Sequence, residues 1–262
     1  MRKLTLLASF VLLLCVTFLS FNHHKTKETH HSESARVTKV KPSAEAKTMP
    51  TILSELKKSP KKTLKYHALG DSLSVGLFSN DQTTRFTTLF TKDLTKLTGR
   101  QVTEANTSMV GKTATNFGIS HVQDVINDQP DLVTIEFGTN DAAYGIDETN
   151  VNNFVKNLDS IVQQVQSQTK AKIILVTTWS PSNGKYLAND QIYDQKIKAI
   201  AKKYHVPVAD LSTIWKNNPD VTKNSLGYDK NYAILRDQFH PNQQGHDQIA
   251  KLLEKVIQQP EN

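Results

Sequence analysis

A chain of 262 residues with a formal net charge of +7 is long enough for one substantial domain and a tail. The charge is lopsided: residues 1–62 hold 12 of the 32 Lys and Arg but 4 of the 25 Asp and Glu, which leaves the remainder near neutral. That distribution excludes a nucleic-acid-binding fold, whose basic patch sits on the folded body, and a single cysteine excludes a disulfide framework.

In chain order, Arg2 and Lys3 precede an uncharged apolar run from Leu4 to Phe21, long enough to span a bilayer. No small-x-small pair marks a cut site after it. Residues 1–21 therefore read as a signal anchor, with a cleaved signal peptide as the alternative. The positive start predicts a body outside the membrane. Cys15 lies inside the run and lacks the small neighbours of a lipid-attachment site. Residues 22–62 are polar and basic and show no sustained apolar period, so they read as a flexible linker with at most one helical turn at Leu53–Leu56. Such a basic stretch suits anionic lipid or wall polymer. His23-His24 and His30-His31 have no cysteines and no fixed geometry beside them, so they read as solvated tail rather than a metal site.

From residue 63 the pattern alternates. The sequence predicts strands at Leu64–Leu69, Gln101–Ala105, Asp131–Phe137, Lys172–Thr177 and Val206–Ala209. It predicts helices over Thr83–Leu97, Thr113–Ile126, Val151–Val165, Gln191–Tyr204 and Gln243–Ile257. Asn217–Arg236 has no clear period and reads as a long loop. Alternating βα units imply a mostly parallel, doubly wound five-stranded sheet covered on both faces. In such sheets the functional crevice lies beyond the carboxyl ends of the strands.

Four short motifs fall near those ends. Gly70-Asp71-Ser72-Leu73 follows the first strand, and a serine on that turn is a nucleophile if a base and an oxyanion site lie nearby. Asn106 and Gly111 follow the second strand, and a glycine offers a backbone N–H with no side chain in the way. Gly138-Thr139-Asn140-Asp141 follows the third. Asp237-Gln238-Phe239-His240 precedes the last helix and supplies a carboxylate and an imidazole, whose unperturbed pKa of about 6.5 suits a general base. Each motif alone is a cap or a turn. Together they form a hydrolase-type set. Gly111-Lys112-Thr113 has the end of a phosphate-binding loop, but Asn106 stands where that loop needs glycine.

With these motifs in place, the region from Lys62 to Gln258 resembles the SGNH or GDSL hydrolase family. The matching blocks are Gly70-Asp71-Ser72-Leu73-Ser74, Asn106 with Gly111, Gly138-Thr139-Asn140-Asp141, and Asp237-x-x-His240. The resemblance implies a flavodoxin-like α/β/α domain over residues 63–262 and an esterase or lipase activity. It further implies Ser72 as nucleophile, His240 as base, Asp237 as its orienting partner, and an oxyanion hole built from Ser72, Gly111 and Asn140. No cofactor or metal is expected. The expected partners are a small ester, acetylated-sugar or lipid substrate, and a membrane through the N-terminal segment. An O-acyltransferase acting on wall sugars, or an inactive wall-binding module, would share these motifs. Tyr144, Trp179 and Phe239 fall near predicted strand ends and are expected to line an acyl pocket. His121, His205 and His246 read as structural.

Overall fold

The structure is a computed structural model and describes residues 49–181 and 184–260. The expected anchor at 1–21 and most of the expected linker lie outside the described residues. Among the described residues, no helix is long and apolar enough to cross a membrane.

The first element corrects the linker boundary. Helix α1 (Ile52–Lys58) starts at Thr51 with a reciprocal capping box to Ser54 and buries Ile52, Leu53 and Leu56. Its apolar face is too short to stand out as a period, yet it joins the core under the closing helix. The Arg100 guanidinium holds the turn behind it by donating to the Lys57 and Lys61 carbonyls. The packed body therefore starts near residue 51 rather than 63.

The chain then runs through β1 (Thr63–Gly70), α2 (Ser72–Val75), α3 (Phe86–Thr98) and β2 (Gln101–Ser108). A π-helical turn at Ala114–Gly118 leads into α4 (Ile119–Asp128) and β3 (Leu132–Glu136). Next come α5 (Thr139–Tyr144), α6 (Glu148–Gln168), β4 (Lys172–Val176) and α7 (Leu187–Tyr204). The rest is β5 (Val208–Ala209), α8 (Ser212–Trp215), a 3₁₀ turn at Pro219–Thr222, the hairpin β6 (Tyr228–Asp229) and β7 (Ile234–Leu235), and α9 (Gln243–Gln258). The stretch expected to be a structureless loop thus carries a helical turn and a two-stranded antiparallel hairpin. The strands of that hairpin are too short to show alternation.

The sheet has five strands, all parallel, in the order β2-β1-β3-β4-β5, which is the flavodoxin-like arrangement. Period-two alternation sorts its side chains to two faces. Tyr66, Ala68, Ile174 and Val176 pack with α1, α3, α8 and α9, while Val133, Ile135, Ile173 and Leu175 pack with α4, α6 and α7. Two apolar layers around one sheet leave the strand ends as the place for polar chemistry. Strand β2 runs three residues further than the sequence suggested, which puts Asn106 inside it, paired with Ala68, rather than on the loop.

Candidate active site

Ser72 is the first residue of α2, directly beyond β1. The turn before it requires glycine at position 70. A Cβ there would lie 2.7 Å from Glu136 Oε2, 2.9 Å from the Glu136 carbonyl and 2.4 Å from Ser74 Oγ. The Asp71 side chain caps α2 by accepting from the Leu73 N–H at 3.0 Å. As the first helical residue, Ser72 has an N–H without an intrahelical acceptor.

His240 Nε2 lies 3.0 Å from Ser72 Oγ, although the two residues are 168 positions apart. His240 Nδ1 lies 2.7 Å from Asp237 Oδ2. The other Asp237 oxygen accepts from the Phe239 and His240 N–H groups at 2.9 and 2.8 Å, so one short turn holds both members of the pair. Burial would raise the Asp237 pKa, but the His240 hydrogen bond and charge outweigh it and keep the carboxyl below the usual range. With Nδ1–H directed at Asp237, Nε2 is left to accept from the serine hydroxyl; this tautomer follows from the hydrogen-bond network.

Aromatic residues set the pose of the imidazole. Phe78 and Phe239 meet it edge-on, each at 5.4 Å. Trp179 lies deeper. It was expected to line an acyl pocket, but it is fully buried, and its Nε1–H donates to the Phe239 carbonyl at 2.7 Å. Its indole is a core residue that steadies the histidine turn, since a buried Trp needs a partner for its N–H. Phe239 packs partly against the same core. Tyr144 alone of the three is exposed, at 66%.

Asn140, near the start of α5, ties two loops together. Its Nδ2 donates to Asp71 Oδ2 at 2.8 Å and to the Lys112 carbonyl at 3.0 Å, linking the serine turn to the residue after Gly111. Gly111 has φ of 74°, which glycine adopts without strain, and its N–H has no acceptor among the described residues. Asn106 takes a different position: its Nδ2 donates to the Ser74 carbonyl at 2.8 Å and so supports α2 from β2.

One feature of the site belongs to none of the four motifs. Glu136 ends β3 only 1% exposed, accepting from the Asp71 N–H at 3.1 Å and the Ser74 hydroxyl at 3.0 Å. Burial first, then the Asp71 charge, pushes Glu136 well above the usual carboxylate range, and burial also raises Asp71. Two carboxyls so close in a dry site cannot both ionise, and Glu136 keeps the proton. The signal was visible as a charged residue within an otherwise apolar strand, Leu132-Val133-Thr134-Ile135-Glu136-Phe137.

His121, His205 and His246 are structural. His121 stacks on Phe117, His205 caps α7 in the left-handed region, and His246 is buried with Nε2 on the Leu77 carbonyl. Among the described residues no group of three or more His, Cys, Asp or Glu is placed to hold a metal ion.

Comparison with known proteins bears on the fold and the family. Residues 68–248, more than half of the chain, match the GDSL-like lipase/acylhydrolase family. No curated protein matches in sequence. Among solved structures, the acetyl xylan esterase AlAXEase is 21% identical with a TM-score of 0.59, the match covering 74% of this chain and 100% of that one. The esterase EstA from Pseudoalteromonas sp. is 20% identical with a TM-score of 0.56, covering 75% and 97%. A two-domain esterase active on acetylated mannans is 23% identical with a TM-score of 0.61, covering 79% of this chain and 52% of that one. At these identities the structures share the fold, and the family match carries the assignment: this chain belongs to the GDSL-like lipase/acylhydrolase family and is a hydrolase acting on ester bonds.

Proposed function

We propose that the protein cleaves carboxylic esters through an acyl-serine intermediate. The observation that carries this reading is the continuous chain from Ser72 Oγ to His240 Nε2 at 3.0 Å and from His240 Nδ1 to Asp237 Oδ2 at 2.7 Å. A serine hydroxyl is a weak nucleophile until a hydrogen-bonded base takes its proton. The Ser72 proton moves to His240 Nε2 as Oγ bonds to the ester carbonyl carbon. The imidazolium, stabilised by Asp237, returns that proton to the departing alkoxide. Water then attacks the acyl-serine by the same route: His240 takes one of its protons and returns it to Ser72 Oγ as the acyl–Oγ bond breaks and the acid leaves.

The tetrahedral oxyanion is met by the Ser72 and Gly111 N–H groups and by Asn140 Nδ2. One Asn140 proton is held by the charged Asp71, the stronger bond. The other, on the Lys112 carbonyl, is the one that turns to the substrate.

The apolar run at Leu4–Phe21 behind Arg2 and Lys3 supports placement of the catalytic body outside a membrane, by anchor or by export. The intact relay argues against an inactive binding module. Labelling with a fluorophosphonate tests the chemistry: the wild type acquires the probe and Ser72→Ala does not. Equal labelling of both overturns the assignment of Ser72.

A further inference from the structure

A cleft of about 230 Å³ is lined by Thr113, two positions after Gly111, and by Asp141, the neighbour of Asn140 in the chain. Its walls come from the π-helical turn at Ala114–Gly118 and from α5, α6 and α7, the first two pinned together where the Ala114 N–H donates to Asp141 Oδ2 at 3.3 Å. Thr115, Asn116, Asp141, Tyr144, Asn150 and Asn153 face it. No lysine or arginine among the described residues lines it. A phosphate or sulfate group would therefore enter without a counter-charge, beside a carboxyl.

The amides of the cleft are pre-set. Asn116 Oδ1 accepts from the Thr113 N–H at 2.9 Å, which leaves its Nδ2 as the unused end, a donor. Asn150 Nδ2 donates to Asp147 Oδ2 and the Tyr144 carbonyl, which leaves its Oδ1 unused, an acceptor. The Asn153 side chain has no hydrogen-bond partner among the described residues and is exposed. A fixed donor and a fixed acceptor around one opening suit groups that both give and take hydrogen bonds, as sugar hydroxyls do. Beside them stands the open ring of Tyr144, an apolar face against which the C–H surface of a pyranose can lie. Asp141, 6% exposed and pushed up to about 7 by burial, adds an acceptor or donor without a full charge at neutral pH.

From this geometry we infer that the cleft is a subsite for a neutral sugar, so that the alcohol half of the ester is a glycan and the substrate an acylated oligosaccharide. This rests on the acyl-serine reading above and adds the identity of the alcohol. The Tyr144 ring and the three asparagines hold the glycan while its ester group reaches Ser72.

The test compares kcat/KM on O-acetylated xylo- and manno-oligosaccharides, on lysophosphatidylcholine and on 4-nitrophenyl acetate, using the full chain. The ratio of glycan-ester to nitrophenyl-acetate kcat/KM falls about tenfold in Tyr144→Ala and in Asn153→Ala, mostly through KM, as expected for a lost binding contact. Tyr144→Trp, which keeps an aromatic face, retains the ratio. Both positions are exposed, and melting temperatures check that the variants fold. An unchanged ratio in both alanine variants overturns the subsite. Wild-type preference for lysophosphatidylcholine over both glycans overturns the sugar assignment. Absence of nitrophenyl acetate turnover and of fluorophosphonate labelling in the wild type would instead strike the acyl-serine reading.

Discussion

Asn140 and Glu136 both hold Asp71, Asn140 by donating to its carboxyl and Glu136 by accepting from its backbone N–H. On the acyl-serine proposal, Asn140→Ala removes a donor to the oxyanion by deleting a partly buried amide. Its kcat falls by about 100- to 1000-fold, the usual cost of one such donor, and its stability falls by about 1–3 kcal/mol because the buried Asp71 carboxyl loses its amide donor. Steady-state kinetics beside a thermal scan checks both halves, and a near wild-type kcat removes Asn140 from the oxyanion hole. Glu136 works through shape and a retained proton. Glu136→Ala leaves the Ser74 hydroxyl and the Asp71 N–H buried without acceptors and costs about 1–3 kcal/mol of stability per unsatisfied group. Glu136→Gln copies the neutral acid, with one oxygen to accept and an NH₂ to face Asp71. It stays close to wild type in stability and rate at neutral pH. A Gln variant as damaged as the Ala variant in urea titration would show that Glu136 is ionised in the folded protein.

At the level of elements, short pieces matter more than their length suggests. Helix α1 buries three apolar side chains of a segment that composition alone assigns to a linker. Full burial of such a side chain is worth about 1.5–3 kcal/mol before chain entropy is subtracted. A chain beginning near residue 62 is therefore less stable than one beginning near residue 49, by about 2–5 kcal/mol. Chemical denaturation of the two truncations measures the difference, and equal midpoints would show that α1 adds nothing. The β6–β7 hairpin is similarly small but ordered from within. Asp229, buried, accepts from the Asn231 and Tyr232 N–H groups and from Arg236 Nε at 2.8 Å. The Arg236 guanidinium also lies over Phe78, which abuts His240. The hairpin thus delivers the chain into the Asp237–His240 turn at a defined angle.

Across the whole molecule, buried acids set the response to pH. Burial pushes Asp141 and Asp190 up to about 7 and Asp194 to about 6. An unfolded Asp loses its proton near 3.9. Between these values the native state binds more protons, so stability is full below about pH 4 and is lost as pH rises through 6–7. Burial lowers His246 to about 4, and it lowers His67 as well. These run the other way, since the unfolded chain takes up their protons below about pH 6.5. Each group contributes at most about 1.4 kcal/mol per pH unit. With Glu136 also raised, the acids outnumber the histidines, and the melting temperature falls from about pH 5 to about pH 8. Asp190→Asn, which no longer titrates, flattens that fall. A melting temperature that climbs over the same range contradicts neutral buried carboxyls.

The sequence by itself determined the layered α/β fold and named the residues of the candidate site. Apolar runs of strand length alternating with amphipathic helices admit only a covered parallel sheet, and that sheet sends its strand ends to one rim. Ser72, Gly111, Asn140, Asp237 and His240 were legible only as a set: each motif alone is an ordinary cap or turn, but all four fall near strand ends or just before the last helix, in one order. The tertiary structure alone decided which neighbours each would have. Trp179 is as aromatic as Tyr144, yet one supports the histidine turn from the core and the other stands open beside a polar cleft. Glu136 became a proton-bearing partner of Asp71, and residues 52–58 became core, for one reason. Burial and unsatisfied valence depend on what packs across the gap, and those contacts join positions far apart in the chain, beyond the reach of any local pattern.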